Sequence, residues 1–133
     1  MNPVKKPAVL SARKRVLIVD DERMVLDLTC DFLEEAGFET IESRTTGEAL
    51  EEMEKAPADL VLLDIRLPDG DGLTALQDLR KRHPKVPVVV LTGSGYDEDL
   101  MRRAQQNGAA AYVSKDTDLE NMVAAVKRAL RQA

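Results

Sequence analysis

The stretch VLIVDDE, Val16 to Glu22, sets four apolar residues directly before three consecutive carboxylates. An unbroken, mostly β-branched apolar run reads as a strand buried on both faces, here from Arg15 to Val19. The carboxylates at its end are costly, because like charges held together repel and each raises its neighbour's pKa. The same construction returns three more times. Asp59-Leu60-Val61-Leu62-Leu63 ends in Asp64, Val86 to Leu91 (VPVVVL) runs into Thr92-Gly93-Ser94-Gly95, and Ala109 to Val113 ends at Ser114-Lys115.

Amphipathic segments separate these runs. Glu22 to Ala36 places Val25, Leu28, Leu33 and Ala36 near one helical face, with Gly37 as a stop. Phe38 to Ile41 reads as a short strand. Thr45 and Glu48 form a capping box that opens a helix to about Lys55, closed by Pro57. The loop RLPDGDG, with Gly70 and Gly72 expected at φ > 0, leads to a helix carrying Leu73, Leu76 and Leu79 that Pro84 ends. Tyr96 to Gln106 is helical up to Asn107-Gly108. Thr117 and Glu120 form a second capping box before Leu119, Met122, Val123, Val126 and Leu130, which recur at helical spacing. Five strands alternating with five helices predict an α/β fold: a five-stranded parallel sheet, order 2-1-3-4-5, helices on both faces, flavodoxin-like (βα)5.

Composition narrows the function. The 133 residues are 44% hydrophobic and 32% charged, enough for one domain with its own core. Residues 1–12 read as a flexible extension and 13–133 as the domain. There is no apolar run of bilayer length and no signal-peptide core, so a cytoplasmic protein is expected. One cysteine, Cys30, excludes an internal disulfide. The net charge of −5 hides a basic start: residues 1–15 carry five basic groups and no acidic ones, leaving −10 on the rest. An acidic body argues against nucleic-acid binding and is compatible with a divalent cation.

Sites in open parallel sheets form beyond the carboxyl ends of the strands. There the sequence gathers Asp20, Asp21, Asp64, Thr92 and Lys115. Each residue alone has an ordinary reading: acids at a helix start, a turn aspartate, a β-branched strand end, a solvated lysine. Their joint placement is what points to chemistry. VLIVDDE, LVLLDIRLPDGDG, VVVLTGSG and AYVSK, in this order and on these elements, resemble the receiver domain of two-component response regulators, of the single-domain chemotaxis-regulator type. The resemblance runs from about Arg13 to Arg131.

The resemblance implies roles. Asp64 is the phosphorylation site, accepting a phosphoryl group from a histidine kinase or a histidine phosphotransfer protein. Mg²⁺ is held by Asp21, Asp64 and the backbone carbonyl of Arg66, with Asp20 acting through one of its waters. Lys115 and Thr92 meet phosphoryl oxygens. Thr92 and Tyr112 form the switch, and Arg66 and Ser94 tune the lifetime of the phosphoryl group, with slow hydrolysis expected. The surface of the fourth helix, fifth strand and fifth helix then engages a downstream protein target. Such a domain is not an enzyme beyond its own phosphorylation and dephosphorylation. The alternative is a phosphate-independent interaction module on the same fold. An aspartyl-nucleophile phosphohydrolase is disfavoured, because its Asp-x-Asp pattern would need an acid where Arg66 stands. The chain departs from the family where proline usually follows the lysine: Asp116 follows Lys115, and a trans bond is expected there. Cys30 reads as a small core residue, the methionines as packing, and His83 as a solvated position.

Overall fold

The computed structural model describes residues 13–67, 70–93 and 97–132. The extension 1–12 and Ser94 lie outside the described residues. The strands are β1 (Arg15–Val19), β2 (Glu39–Ser43), β3 (Leu60–Asp64), β4 (Val88–Thr92) and β5 (Ala111–Ser114). The helices are α1 (Arg23–Glu35), α2 (Thr46–Lys55), α3 (Gly72–Arg82), α4 (Glu98–Gln106) and α5 (Leu119–Gln132). The five strands form one parallel sheet in the order β2-β1-β3-β4-β5, as expected.

Each apolar run serves two cores, because successive side chains leave opposite faces of a strand. Leu17, Val19, Val61, Leu63, Val88 and Val90 pack with Ala49, Met53, Leu76, Leu79 and Ala104 of α2, α3 and α4. Val16, Ile18, Leu60, Leu62, Val89 and Leu91 pack with Leu26, Cys30, Leu33, Met122 and Val126 of α1 and α5. Burying each such Leu, Ile or Val contributes about 1.5–3 kcal/mol. This accounts for runs that show no polar alternation.

Several boundaries move for identifiable reasons. β2 begins at Glu39, not Phe38, because Gly37 (φ +101°) turns the chain and Phe38 N–H donates to Leu33 O at 3.0 Å, closing α1. β5 begins two residues later than predicted by the same device. Gly108 (φ +93°) closes α4, with Ala109 N–H on Ala104 O at 3.0 Å. The Thr45–Glu48 box forms in altered shape: Thr45 Oγ1 accepts from Glu48 N at 3.1 Å, but the Glu48 carboxylate takes the N–H of Arg44 at 2.8 Å. The Thr117–Glu120 box does not form. Asp118 accepts from Asn121 N at 2.8 Å, while Thr117 N–H is turned to Ser114 O.

Three further expectations are corrected. Gly72 is not left-handed; its missing Cβ makes room for a close approach, since a Cβ would lie 2.6 Å from Ile65 Cα and carbonyl C. The RLPDGDG loop also contains a small antiparallel ribbon, Arg66–Leu67 against Gly70–Asp71. On α1 the buried face is Leu26, Thr29, Cys30 and Leu33, which leaves Leu28 49% exposed and Met24, not a packing residue, 74% exposed. His83 is not solvated: its side chain is 14% exposed and Nε2 lies 3.5 Å from Glu54 Oε2. Among the described residues no helix is long and apolar enough to cross a membrane.

Candidate functional site

Parallel register brings the strand ends level. Asp64 pairs with Leu91 and Thr92 with Ser114, so the polar residues that stop β3, β4 and β5 share one edge. β1 joins them, with Asp20 N–H continuing its ladder onto Ser43 O at 3.0 Å. Lys115 is fixed by its own backbone, whose N–H donates to Thr92 O at 2.7 Å. Its side chain is thereby directed across the carboxyl ends of the sheet.

There the ammonium meets three carboxylates. Lys115 Nζ lies 2.8 Å from Asp64 Oδ2, 2.8 Å from Glu22 Oε1, and 2.8 Å from Asp20 Oδ2. Asp20 is fully buried, and the side chains of Asp64 and Lys115 are 5% and 11% exposed. The other oxygens are held by the backbone. Asp20 Oδ1 accepts from Glu22 N at 3.0 Å and Asp64 Oδ1 from Arg66 N at 3.0 Å. Each is the short local turn a carboxylate makes with the amide two residues on.

Electrostatics follow from this packing. Burial pushes the Asp64 carboxyl above its ordinary range; the Lys115 and Arg66 N–H contacts pull it back only in part, and Asp20 adds to the rise. For Lys115, burial disfavours the charge, but contacts to Asp20, Asp64 and Glu22 outweigh it and raise the pKa above the usual lysine value. Glu22 is held below the ordinary range by Lys115. The crowding foreseen at Asp20, Asp21 and Asp64 is therefore relieved by a cation already in the protein. Relief is incomplete: three carboxylates surround one ammonium, and Asp21 adds a fourth negative charge beside Asp20 and Asp64. One oxygen from each of Asp20, Asp21 and Asp64 lies within 4.8 Å of the others. Three hard anionic donors with residual negative charge fit a divalent cation such as Mg²⁺.

Asp20, Asp21, Asp64 and Lys115 thus come together, with Thr92 buried at the adjoining strand end. Tyr112 stands apart. It pairs with Val90, packs against the α2–α4 core, and buries a hydroxyl that finds no hydrogen-bond partner among the described residues. The Arg66 side chain is exposed, and only its backbone N–H touches the site. The Lys115–Asp116 bond is trans, with no cis bond among the described residues. Sequence reasoning missed Glu22 as a partner of Lys115. The two are separated by 93 positions, and nothing local distinguishes Glu22 from a helix-start acid; it does sit at the N-cap of α1 but makes no side-chain cap bond. Arg44, whose guanidinium reaches Asp21 O at 3.4 Å, was likewise unforeseen.

Comparison with known proteins agrees with this geometry. The chain is 32% identical over 121 residues to the phosphate regulon transcriptional regulatory protein PhoB of Escherichia coli K12, covering 90% of this chain and 52% of that protein. It is 38% identical over 120 residues to the response regulator protein PilR of Pseudomonas aeruginosa, covering 90% of this chain and 27% of PilR. The chain therefore spans about half, or less, of the length of these relatives. The CheY-like receiver domain protein of Methanospirillum hungatei superposes with a TM-score of 0.86 at 32% identity, covering 91% of this chain and 96% of that one. The family model described as the response regulator receiver domain matches residues 16–127, which takes in every site residue from Asp20 to Lys115, and the chain belongs to that family.

Proposed function

We propose that this receiver domain accepts a phosphoryl group on Asp64 from a phosphohistidine of a histidine kinase or phosphotransfer protein. The observation that carries the reading is the Lys115 ammonium 2.8 Å from an Asp64 carboxylate that is itself almost wholly buried. An Asp64 oxygen attacks phosphorus, the P–N bond breaks, and its electron pair returns to the imidazole nitrogen. An anion attacking an anion needs nearby positive charge, and the Lys115 ammonium supplies it without reorganisation. The raised Asp64 pKa makes its carboxylate a more basic nucleophile than an ordinary one. Asp20, Asp21, Asp64 and the Arg66 carbonyl would hold Mg²⁺, which neutralises phosphoryl charge when bound.

Once Asp64 carries the phosphoryl group as an acyl phosphate, Lys115 trades its Asp64 contact for a phosphoryl oxygen, and the Thr92 hydroxyl approaches another. Tyr112 follows through the β4–β5 pairing, and the α4–β5–α5 surface changes for a protein target. The domain turns over no other substrate, and it works in the cytoplasm. Hydrolysis is slow because Arg66 offers no acceptor to take a proton from water.

Incubation with Mg²⁺ and a small phosphodonor tests the reading by intact mass. The native chain gains one acid-labile phosphoryl group and Asp64→Asn gains none. Native-rate labelling of Asp64→Asn removes Asp64 from its role. No labelling of the native chain under any donor favours a phosphate-independent interaction module.

A further inference from the structure

Glu22 is one of the three carboxylates on Lys115, and its backbone is fixed on both sides. The N–H donates to Asp20 Oδ1 at 3.0 Å, and the carbonyl accepts from Leu26 N at 3.0 Å. Standing at the N-cap of α1, its side chain makes no cap bond and reaches Lys115 Nζ at 2.8 Å instead. An ammonium has three N–H donors, and Asp20, Asp64 and Glu22 each lie 2.8 Å from it. The three partners differ in what else they serve. A divalent cation would draw on Asp20, Asp21 and Asp64, a trio that leaves Glu22 out. Asp64 would also carry the phosphoryl group. Among the described residues Lys115 is the one cation paired with Glu22, and that contact holds the Glu22 carboxyl below its ordinary range.

We propose that Glu22 is the counter-ion reserved for Lys115, a positioning residue that keeps the ammonium at the Asp64 edge when other charges claim Asp20 and Asp64. This rests on Asp64 being the phosphoacceptor and on Mg²⁺ using the aspartate trio. Before a cation binds, two buried carboxylates hold the ammonium and Glu22 is redundant. Once Asp20 and Asp64 share their charge with a cation, their hold weakens, and the cation and the ammonium repel each other. A lysine side chain loses much rotamer freedom when pinned, so an ammonium without an anchor turns to water. Glu22 is the anchor that remains. Its side chain is 60% exposed where that of Lys115 is 11% exposed, so it holds the ammonium from the solvent side, away from the trio.

The ammonium protons of Lys115 report its position, because a bonded and largely buried ammonium exchanges with water slowly enough to give an NMR signal. Lys115→Met assigns that signal by its loss. Spectra are recorded for the native chain, Glu22→Ala and Glu22→Gln, with and without saturating Mg²⁺. The native chain keeps the signal in both conditions. Glu22→Ala keeps it without Mg²⁺ and loses it with Mg²⁺. Glu22→Gln, which retains an acceptor oxygen but no charge, falls between. Phosphoryl uptake from a small phosphodonor with Mg²⁺ is the second readout. Glu22→Ala slows it about 1.5- to 5-fold, the scale of an ion pair with an exposed partner, and slows it no further in the Lys115→Met background. A Lys115 signal that survives Mg²⁺ in Glu22→Ala overturns the inference. So does a native signal that Mg²⁺ abolishes, or a slowing that persists in Lys115→Met. All three leave the phosphoacceptor reading intact as long as the native chain is labelled on Asp64. A native chain that takes up no phosphoryl group refutes both.

Discussion

Replacing Lys115 by Met removes the one ammonium that stands among Asp20, Glu22 and Asp64 while keeping most of the side chain's volume. Breaking a buried ion pair from one side costs about 3–5 kcal/mol, because the partner charge remains in a poorly solvated place. The protein has one way to limit that loss, which is to protonate a carboxylate. For a group with an ordinary pKa near 3.9 this costs about 4 kcal/mol at pH 7 and about 1.5 kcal/mol at pH 5. Lys115→Met should therefore lose about 3–4 kcal/mol at pH 7 and under about 2 kcal/mol at pH 5.

The signs agree with the pKa directions. Asp64 is raised by burial even with Lys115 present, so its contribution to stability is present at low pH and is lost as pH rises through its folded pKa. Removing Lys115 takes away a lowering influence and carries that loss further up the scale. Lys115 itself is raised, so its own contribution persists up to the ordinary lysine range and fails only above it. Across pH 5–8 the ammonium is constant, and the pH dependence of the variant belongs to the carboxylates. Urea unfolding of both proteins at pH 5 and pH 7 measures the difference. A loss below about 1 kcal/mol at pH 7 would refute the reasoning, as would equal losses at the two pH values.

Other outcomes follow from the same contacts. Mg²⁺ should raise the melting temperature, by about 2.7 kcal/mol of stability at a hundred times its Kd, and Asp21→Ala should remove most of the gain; a flat titration of the native chain would count against the metal. Gly72→Ala should cost about 2–3 kcal/mol, because the new methyl meets Ile65 backbone and no flexible side chain can yield; wild-type stability in a denaturant melt would contradict this. Burial, reinforced by the Glu42 carboxylate, pushes the Cys30 thiol to about 12, so iodoacetamide at pH 8 should label the folded chain at least about 100-fold more slowly than the urea-unfolded chain; comparable rates would disprove that environment.

The sheet was legible because its central parallel strands, buried on both faces, carry short unbroken apolar runs bounded by turn and polar residues. Strand order and the edge that gathers Asp20, Asp64, Thr92 and Lys115 follow from the topology such runs allow. What stayed hidden depends on contacts between distant positions. Glu22 reads as a helix-start acid until Lys115 arrives from 93 residues away. Leu28 belongs to an apolar pattern by spacing, but the face that docks is set by Leu26, Thr29, Cys30 and Leu33. Asp118 caps α5 in place of Thr117 because the helix begins at Leu119, which puts Asp118 and not Thr117 directly before its first residue. Gly72 looks like a turn glycine, and only the folded backbone reveals that its role is closeness to Ile65.

The long separation between Lys115 and its partners orders events in time. Asp64 precedes it by 51 positions and Glu22 by 93, and β5, which ends directly before it, joins the sheet only at the β4 edge. Contacts that close such long loops form late, since the chain's freedom must be given up before they return anything. A chain whose first four strands have assembled holds its acids at a common edge with nothing to balance them. Docking of the last strand supplies the balance, so the strand that completes the sheet also completes the charge pairing at its edge.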